Sequence, residues 1–244
     1  MKNRIMAHMV AFYPSREKSL ETARALIDGG CTYLEVQFPF SDPTADGPYI
    51  QEACKQALEK GFKISGGFEL IGDIRTFSNI PIFIMCYANT IFYYGIEQFL
   101  ECCVSGQVQG LIVPDLPVDY DEGLFEKSEC RGLEPVPVIA QSTKPDRLDM
   151  ILKGRSEFVY AAIRKGITGS FTDIGEENIQ FLTKVDSFGK KILAGFGISE
   201  KHQIEAISSW IHAAVVGTAF IKEIIHSGKA SIYNVIKKKI QSLI

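Results

Sequence analysis

Glu35 stands in the run Leu34-Glu35-Val36-Gln37-Phe38, a carboxylate among apolar neighbours, and the chain continues into Pro39-Phe40-Ser41-Asp42-Pro43-Thr44-Ala45-Asp46-Gly47-Pro48. Apolar surroundings disfavour the charged form of a carboxyl group, which raises its proton affinity toward neutrality and suits it to general acid–base work. The competing reading turns Glu35 outward, to pair with a lysine on a covering helix. A second group of residues points to an anion. Glycines follow three apolar runs in succession, in Tyr160-Ala161-Ala162-Ile163-Arg164-Lys165-Gly166-Ile167-Thr168-Gly169, Ala194-Gly195-Phe196-Gly197-Ile198-Ser199 and Val216-Gly217-Thr218-Ala219. Without a side chain in the way, backbone N–H groups approach an anion closely, so a phosphate ester is the favoured ligand. Plain turn-making is the alternative.

These residues need a frame that brings distant loops together. Short runs rich in Val, Ile, Phe and Tyr predict strands over residues 5–12, 33–38, 82–87, 110–113, 135–139, 158–162, 191–195 and 213–217. Apolar residues recurring every three or four positions predict helices over 17–28, 120–130, 147–153 and 176–185. Strand starts lie about 22 to 33 residues apart, with one gap of about 49 that holds two helices. Eight βα units in a chain of 244 residues predict a (β/α)8 TIM barrel, with a doubly wound sheet as the weaker alternative. No linker or low-complexity tract interrupts it, so residues 1–244 read as one domain. Chemistry in such a barrel sits where strands end, which is where Glu35 and the glycines fall.

Composition narrows the functional class. With 26 basic and 29 acidic side chains, the net charge is -3, and the longest basic run is Lys237 to Lys239. Nucleic-acid binding is therefore a poor expectation. The 6 cysteines form no C-x-x-C pair and the 4 histidines no H-x-x-x-H pattern, so neither a disulfide framework nor a metal site is expected. No apolar stretch is long enough to span a bilayer and no secretory signal is evident, which predicts a cytoplasmic protein without a membrane partner.

Leu34-Glu35 followed by Pro39-Phe40-Ser41-Asp42-Pro43 and Ala45-Asp46-Gly47-Pro48 resembles the signature of the tryptophan synthase α subunit. The likeness continues in order through Tyr87-Ala88-Asn89, Asp115-Leu116-Pro117, Gly166-Ile167-Thr168-Gly169 and Gly195-Phe196-Gly197-Ile198-Ser199. It implies an eight-stranded barrel that cleaves indole-3-glycerol phosphate to indole and glyceraldehyde 3-phosphate. It also implies an α2β2 heterotetramer, in which the partner β subunit carries pyridoxal phosphate and this chain carries no cofactor of its own. By the same resemblance Glu35 is the general acid–base of the retro-aldol cleavage, and Asp46 accepts a hydrogen bond from the indole N–H. Tyr87 and Tyr160 bind substrate, while Gly169, Gly197, Gly217 and Thr218 fall on phosphate-binding positions. Residues 40–48 and 164–173 are implied as mobile lids, and Asp42 and Pro117 as facing the β subunit.

The chain departs from the family pattern at Phe12-Tyr13, Gln37, Gln141 and Ile163. These positions are expected to surround one cavity, leaving the catalytic groups in place within an altered shell. The alternative function is accordingly an impaired lyase that serves mainly to activate its β subunit. Another phosphate-handling barrel, such as indoleglycerol phosphate synthase, would want a lysine at a strand end, and no predicted strand ends in one.

Overall fold

Among the described residues the β-branched and aromatic runs form nine strands: β1 (Ile5–Val10), β2 (Tyr33–Gln37), β3 (Ile82–Met85), β4 (Gly110–Ile112), β5 (Glu134–Val136), β6 (Val138–Ala140), β7 (Phe158–Ala162), β8 (Lys191–Gly195) and β9 (Ala213–Val216). The computed structural model describes residues 3–163, 174–228 and 230–244. All described pairings are parallel, and the strands follow one another in a single sheet in the order β5-β4-β3-β2-β1-β9-β8-β7-β6. β5 and β6 are the two ends of that order and are consecutive in the chain, so the sheet curls into a nearly closed barrel.

Nine strands rather than the eight expected follow from one residue. Pro137 has no N–H to give a ladder, so the predicted run 135–139 divides around it: β5 pairs with β4, and β6 pairs with β7. The Pro137 carbonyl still accepts from Tyr160 N at 2.9 Å. β7 and β8 keep the expected bounds, whereas β1, β2, β3, β4 and β9 end one or two residues earlier than their apolar runs. β1 stops at Val10 because Phe12 adopts a left-handed backbone, with φ 65°, a conformation incompatible with an extended strand.

The covering helices obey their local signals. The helix Arg16–Gly29 starts where the Ser15 hydroxyl accepts from Lys18 N, and ends at Gly30 with φ 101°. The wide gap after β2 holds the two helices Pro48–Glu59 and Ile64–Arg75, as expected. The helix predicted over 120–130 begins only at Leu124, because Asp121 turns back to accept from Gly123 N and Phe125 N, which holds the preceding residues in a turn. No helix among the described residues is long and apolar enough to cross a membrane.

Alternation along the strands divides the apolar residues into two layers. Ile5, Ala7 and Met9 of β1 pack outward under the helices, whereas Met6 joins Phe83, Val136, Phe158 and Leu193 inside the barrel. Burial of a side chain such as Phe83 stabilises the fold by roughly 2 kcal/mol. This apolar plug closes the interior below the level at which the inward-facing side chains become polar.

Candidate active site

Strand register sets the first pair. His8 lies opposite Glu35 and Val10 opposite Gln37. Since Met6 faces inward, so do His8 two residues on and its neighbours Glu35 and Gln37. His8 Nδ1 donates to Glu35 Oε2 at 2.9 Å, with the two residues 5% and 2% exposed. Glu35 is thus turned inward to a histidine and not outward to a lysine. Burial alone would disfavour the imidazolium. The charge and hydrogen bond of Glu35 oppose burial, with smaller pushes from Asp46 and Gln37, and together they raise His8 above the usual histidine value. Removing one member of a buried pair of this kind costs about 3–5 kcal/mol.

The second carboxylate sits in the loop after β2. Asp46 Oδ2 accepts from Gln37 Nε2 at 2.7 Å and from the Tyr87 hydroxyl at 3.0 Å. The loop itself is fixed by Ala45 N donating to the Tyr87 hydroxyl and by Gln51 Nε2 donating to the Asp46 carbonyl. Burial raises the Asp46 carboxyl above its ordinary range, with repulsion from Glu35 adding to it, while His8 and the two hydrogen bonds pull the other way. Tyr87 is buried behind Asp46, where its ring stacks on Phe40 with centroids 5.3 Å apart. It supports the loop and is not among the residues that line the cavity.

His8, Glu35 and Asp46 open onto a cleft at the C-terminal end of the barrel, whose empty volume with its mouth is about 950 Å³. Its floor is apolar, from Met85, Ile112, Val138 and Val215. Tyr160 of β7 lines the same cleft, and burial, with Glu35 and Asp46 adding to it, pushes its phenol well above the ordinary tyrosine range. The far wall is made of backbone: Phe196, Gly197 and Ser199 after β8, then Gly217 and Thr218 after β9. Phe196 and Gly197 hold left-handed φ values of 79° and 87°, which turns the loop sharply at the cleft. Thr218 opens the helix Thr218–His226, whose cap Gly217 supplies no side-chain bond to the first-turn amides, so those amides suit an anion. A Cβ on Gly217 would lie 2.7 Å from His8 Cδ2, so the glycine also makes room for the histidine. Gly169 and the implied lid 164–173 lie outside the described residues.

Two titratable lining residues, His8 and Lys222, were not singled out from the sequence. Lys222, half-buried on the helix Thr218–His226, reaches the cleft with its ammonium 4.8 Å from the centre of the Tyr49 ring. His8 was considered only as one of four histidines that form no metal-ligand pattern. The usable signal was its spacing of two from Met6, which shares the face.

The expectation that Phe12-Tyr13, Gln37, Gln141 and Ile163 surround one cavity is not met. Phe12 packs edge-on against Phe62, with centroids 5.3 Å apart, and against Gly66 under the helices. Ile163 belongs to the outer apolar layer, and its carbonyl accepts from Gln141 Nε2. None of the five lines the cleft. Gln37 does touch the site, but as a donor that holds Asp46.

Known proteins resemble this chain along nearly its whole length. A family model described as tryptophan synthase alpha chain matches residues 1–243. The tryptophan synthase alpha chains of Helicobacter hepaticus and Methanosarcina barkeri are each 38% identical to this chain, over 228 and 226 residues, covering 91% and 92% of it and 85% and 84% of their own lengths. Among solved structures, a chain of the tryptophan synthase complex from Pyrococcus furiosus superposes with a TM-score of 0.87 at 29% identity, covering 99% of this chain and 97% of that one. A chain of Mycobacterium tuberculosis tryptophan synthase shares the fold, with a TM-score of 0.90 at 24% identity and coverage of 99% and 91%.

Proposed function

The chain belongs to the tryptophan synthase alpha chain family, and on that premise we propose that it cleaves indole-3-glycerol phosphate to indole and glyceraldehyde 3-phosphate in the cleft just described. The observation that carries this reading is the placement of two buried carboxylates, Glu35 and Asp46, across one cleft from the glycine-rich ends of β8 and β9.

Cleavage needs an electron sink and a base. Protonating C3 of the indole ring makes the ring cationic, so that it can accept the electrons of the carbon–carbon bond. Removing the proton of the neighbouring glycerol hydroxyl then lets that bond break, the hydroxyl carbon leaving as an aldehyde. Glu35 is assigned both proton transfers, because it lines the cleft beside the apolar floor on which the ring would rest. Asp46 is assigned the indole N–H. Its Oδ2 is engaged by Gln37 and Tyr87, which leaves Oδ1 to accept from the ring and to stabilise the cation as it forms. The two carboxylates divide the work by environment: one meets His8, the other meets neutral donors.

Tyr160, Gly197, Gly217 and Thr218 are assigned to substrate binding, the last three to the phosphate, and Tyr87 to support of Asp46. Gly169 is assigned to the phosphate by its motif alone. Replacing Gly197 by Val is expected to abolish competitive binding of glycerol phosphate, since a branched side chain does not tolerate φ 87°. Calorimetry in which the variant keeps the original affinity would overturn the phosphate assignment.

The reading extends to assembly. Asp42 and Pro117, both exposed, are assigned to the face that meets a β subunit in an α2β2 complex, with pyridoxal phosphate carried by that partner. The intact-lyase reading is favoured over an impaired activator, because Gln37 serves Asp46 and the other departures lie away from the cleft.

A further inference from the structure

We propose that His8 is a positioning residue for the cleavage reaction, clamping Oε2 of Glu35 so that the carboxyl group meets the substrate in a single orientation. The inference rests on the reading of Glu35 as the acid–base group, and it adds a residue that the family motifs do not supply.

The geometry is specific. The 2.9 Å bond from His8 Nδ1 is the one hydrogen bond described for the Glu35 carboxyl, and both side chains are buried. A carboxylate held by one donor has its second oxygen, Oε1, left for the reacting groups. Gly217 makes the space that this imidazole occupies, since a Cβ there would stand 2.7 Å from its Cδ2. Among the described residues His8 Nε2 and Gln37 Oε1 are both buried with no partner at full hydrogen-bond geometry, and they belong to side chains that share the inner face of β1 and β2, where Gln37 favours the charged imidazole. A protonated imidazole suits that setting, with Nδ1–H on Glu35 and the negative charge of Asp46 also acting on the ring.

The groups that bear on its charge come from every neighbouring element. Glu35 and Gln37 face it from β2, and Asp46 acts on it from the following loop. Tyr160 of β7 and Lys222 of the helix Thr218–His226 line the same cleft, while the neighbouring stretch of β9, Ala214 to Val216, carries no titratable side chain. As the pH rises through the raised pKa of His8, the imidazolium loses its proton and the charge-assisted clamp weakens. An alkaline limb in the kcat profile is the expected consequence.

The test uses the complex with a β subunit and three variants. His8→Phe keeps an aromatic ring and removes the donor. His8→Asn places an amide N–H near the position of Nδ1 but cannot titrate. His8→Phe is expected to lower kcat for indole release by at least about tenfold with little change in KM, because a carboxyl group free to rotate loses its alignment. His8→Asn is expected to recover most of that loss and to lack the alkaline limb. Independently of activity, the imidazole of His8, followed by NMR, is expected to titrate at lower pH in Glu35→Gln than in the unmodified chain. Wild-type kcat in His8→Phe, an unchanged alkaline limb in His8→Asn, or an NMR titration that Glu35→Gln leaves unmoved would each overturn the proposal. If the unmodified chain releases indole while His8→Phe is unaffected, only the role of His8 falls. If the unmodified chain releases none, the reading of Glu35 falls with it.

Discussion

Replacing Glu35 by Gln is expected to lower kcat for indole release by about 10³-fold, within the range for loss of a positioned general acid–base group. The substitution preserves volume, and the amide carbonyl still accepts from His8 Nδ1, so the barrel and the glycine-lined wall should be unaffected. The effect should therefore fall on kcat, with KM and the affinity for glycerol phosphate nearly unchanged. Steady-state kinetics beside calorimetry of glycerol phosphate make the comparison. If Glu35→Gln keeps more than about a tenth of the activity, the carboxyl group is not the acid–base.

Asp46→Ala is expected to lower kcat by about 10² to 10³-fold, the usual loss when a group aimed at developing charge is removed. Here the change also has a structural cost. Gln37 Nε2 and the Tyr87 hydroxyl lose their common acceptor inside the protein, and each donor left unsatisfied there costs about 1–3 kcal/mol. Thermal unfolding of Asp46→Ala should accordingly occur several degrees lower. Asp46→Asn separates the two effects, because its carbonyl oxygen retains an acceptor for those donors while the negative charge is gone. Its stability should lie near that of the unmodified chain and its kcat near that of Asp46→Ala. Gln37→Leu tests the support from the other side. It frees one hydrogen bond on Asp46 and should reduce kcat by a few fold, in keeping with about 1 kcal/mol for such a bond. Full activity in both Asp46→Ala and Asp46→Asn would remove Asp46 from the mechanism.

What could be read in the sequence follows from the range over which each feature is determined. Glu35 between Leu34 and Val36 is a local pattern, and burial of its neighbours was bound to place it in a strand at the core. The glycines at 197 and 217 follow strands whose own composition marks them, so their position at the barrel mouth was legible once βα units were counted. The meaning of His8 was not local. It depends on the register that sets β1 against β2, in which His8 meets Glu35 and not the residue on either side, and a slip of one residue would have sent it to the helical layer. Gln37 was misjudged for the same reason: a polar residue two positions past the glutamate looks intrusive until the loop after β2 folds Asp46 back against it. Phe12 and Tyr13 lie close in the chain to the strand end, but the left-handed backbone at Phe12 carries its ring under the helices and away from the cleft. The division of the fifth strand at Pro137 was visible as a proline within an apolar run, although only the closure of the barrel shows that its two halves serve different neighbours.

As a working lyase, this chain would hold indole-3-glycerol phosphate between Glu35, Asp46 and the glycine-lined wall. The most direct measurement is indole release from indole-3-glycerol phosphate, by the chain alone and with a tryptophan synthase β subunit present. The expected result is turnover on the order of one per second or more in the complex, within the common range for enzymes, and slower release by the chain alone. A chain that binds and activates the β subunit but releases no indole in either condition would contradict lyase activity in this cleft.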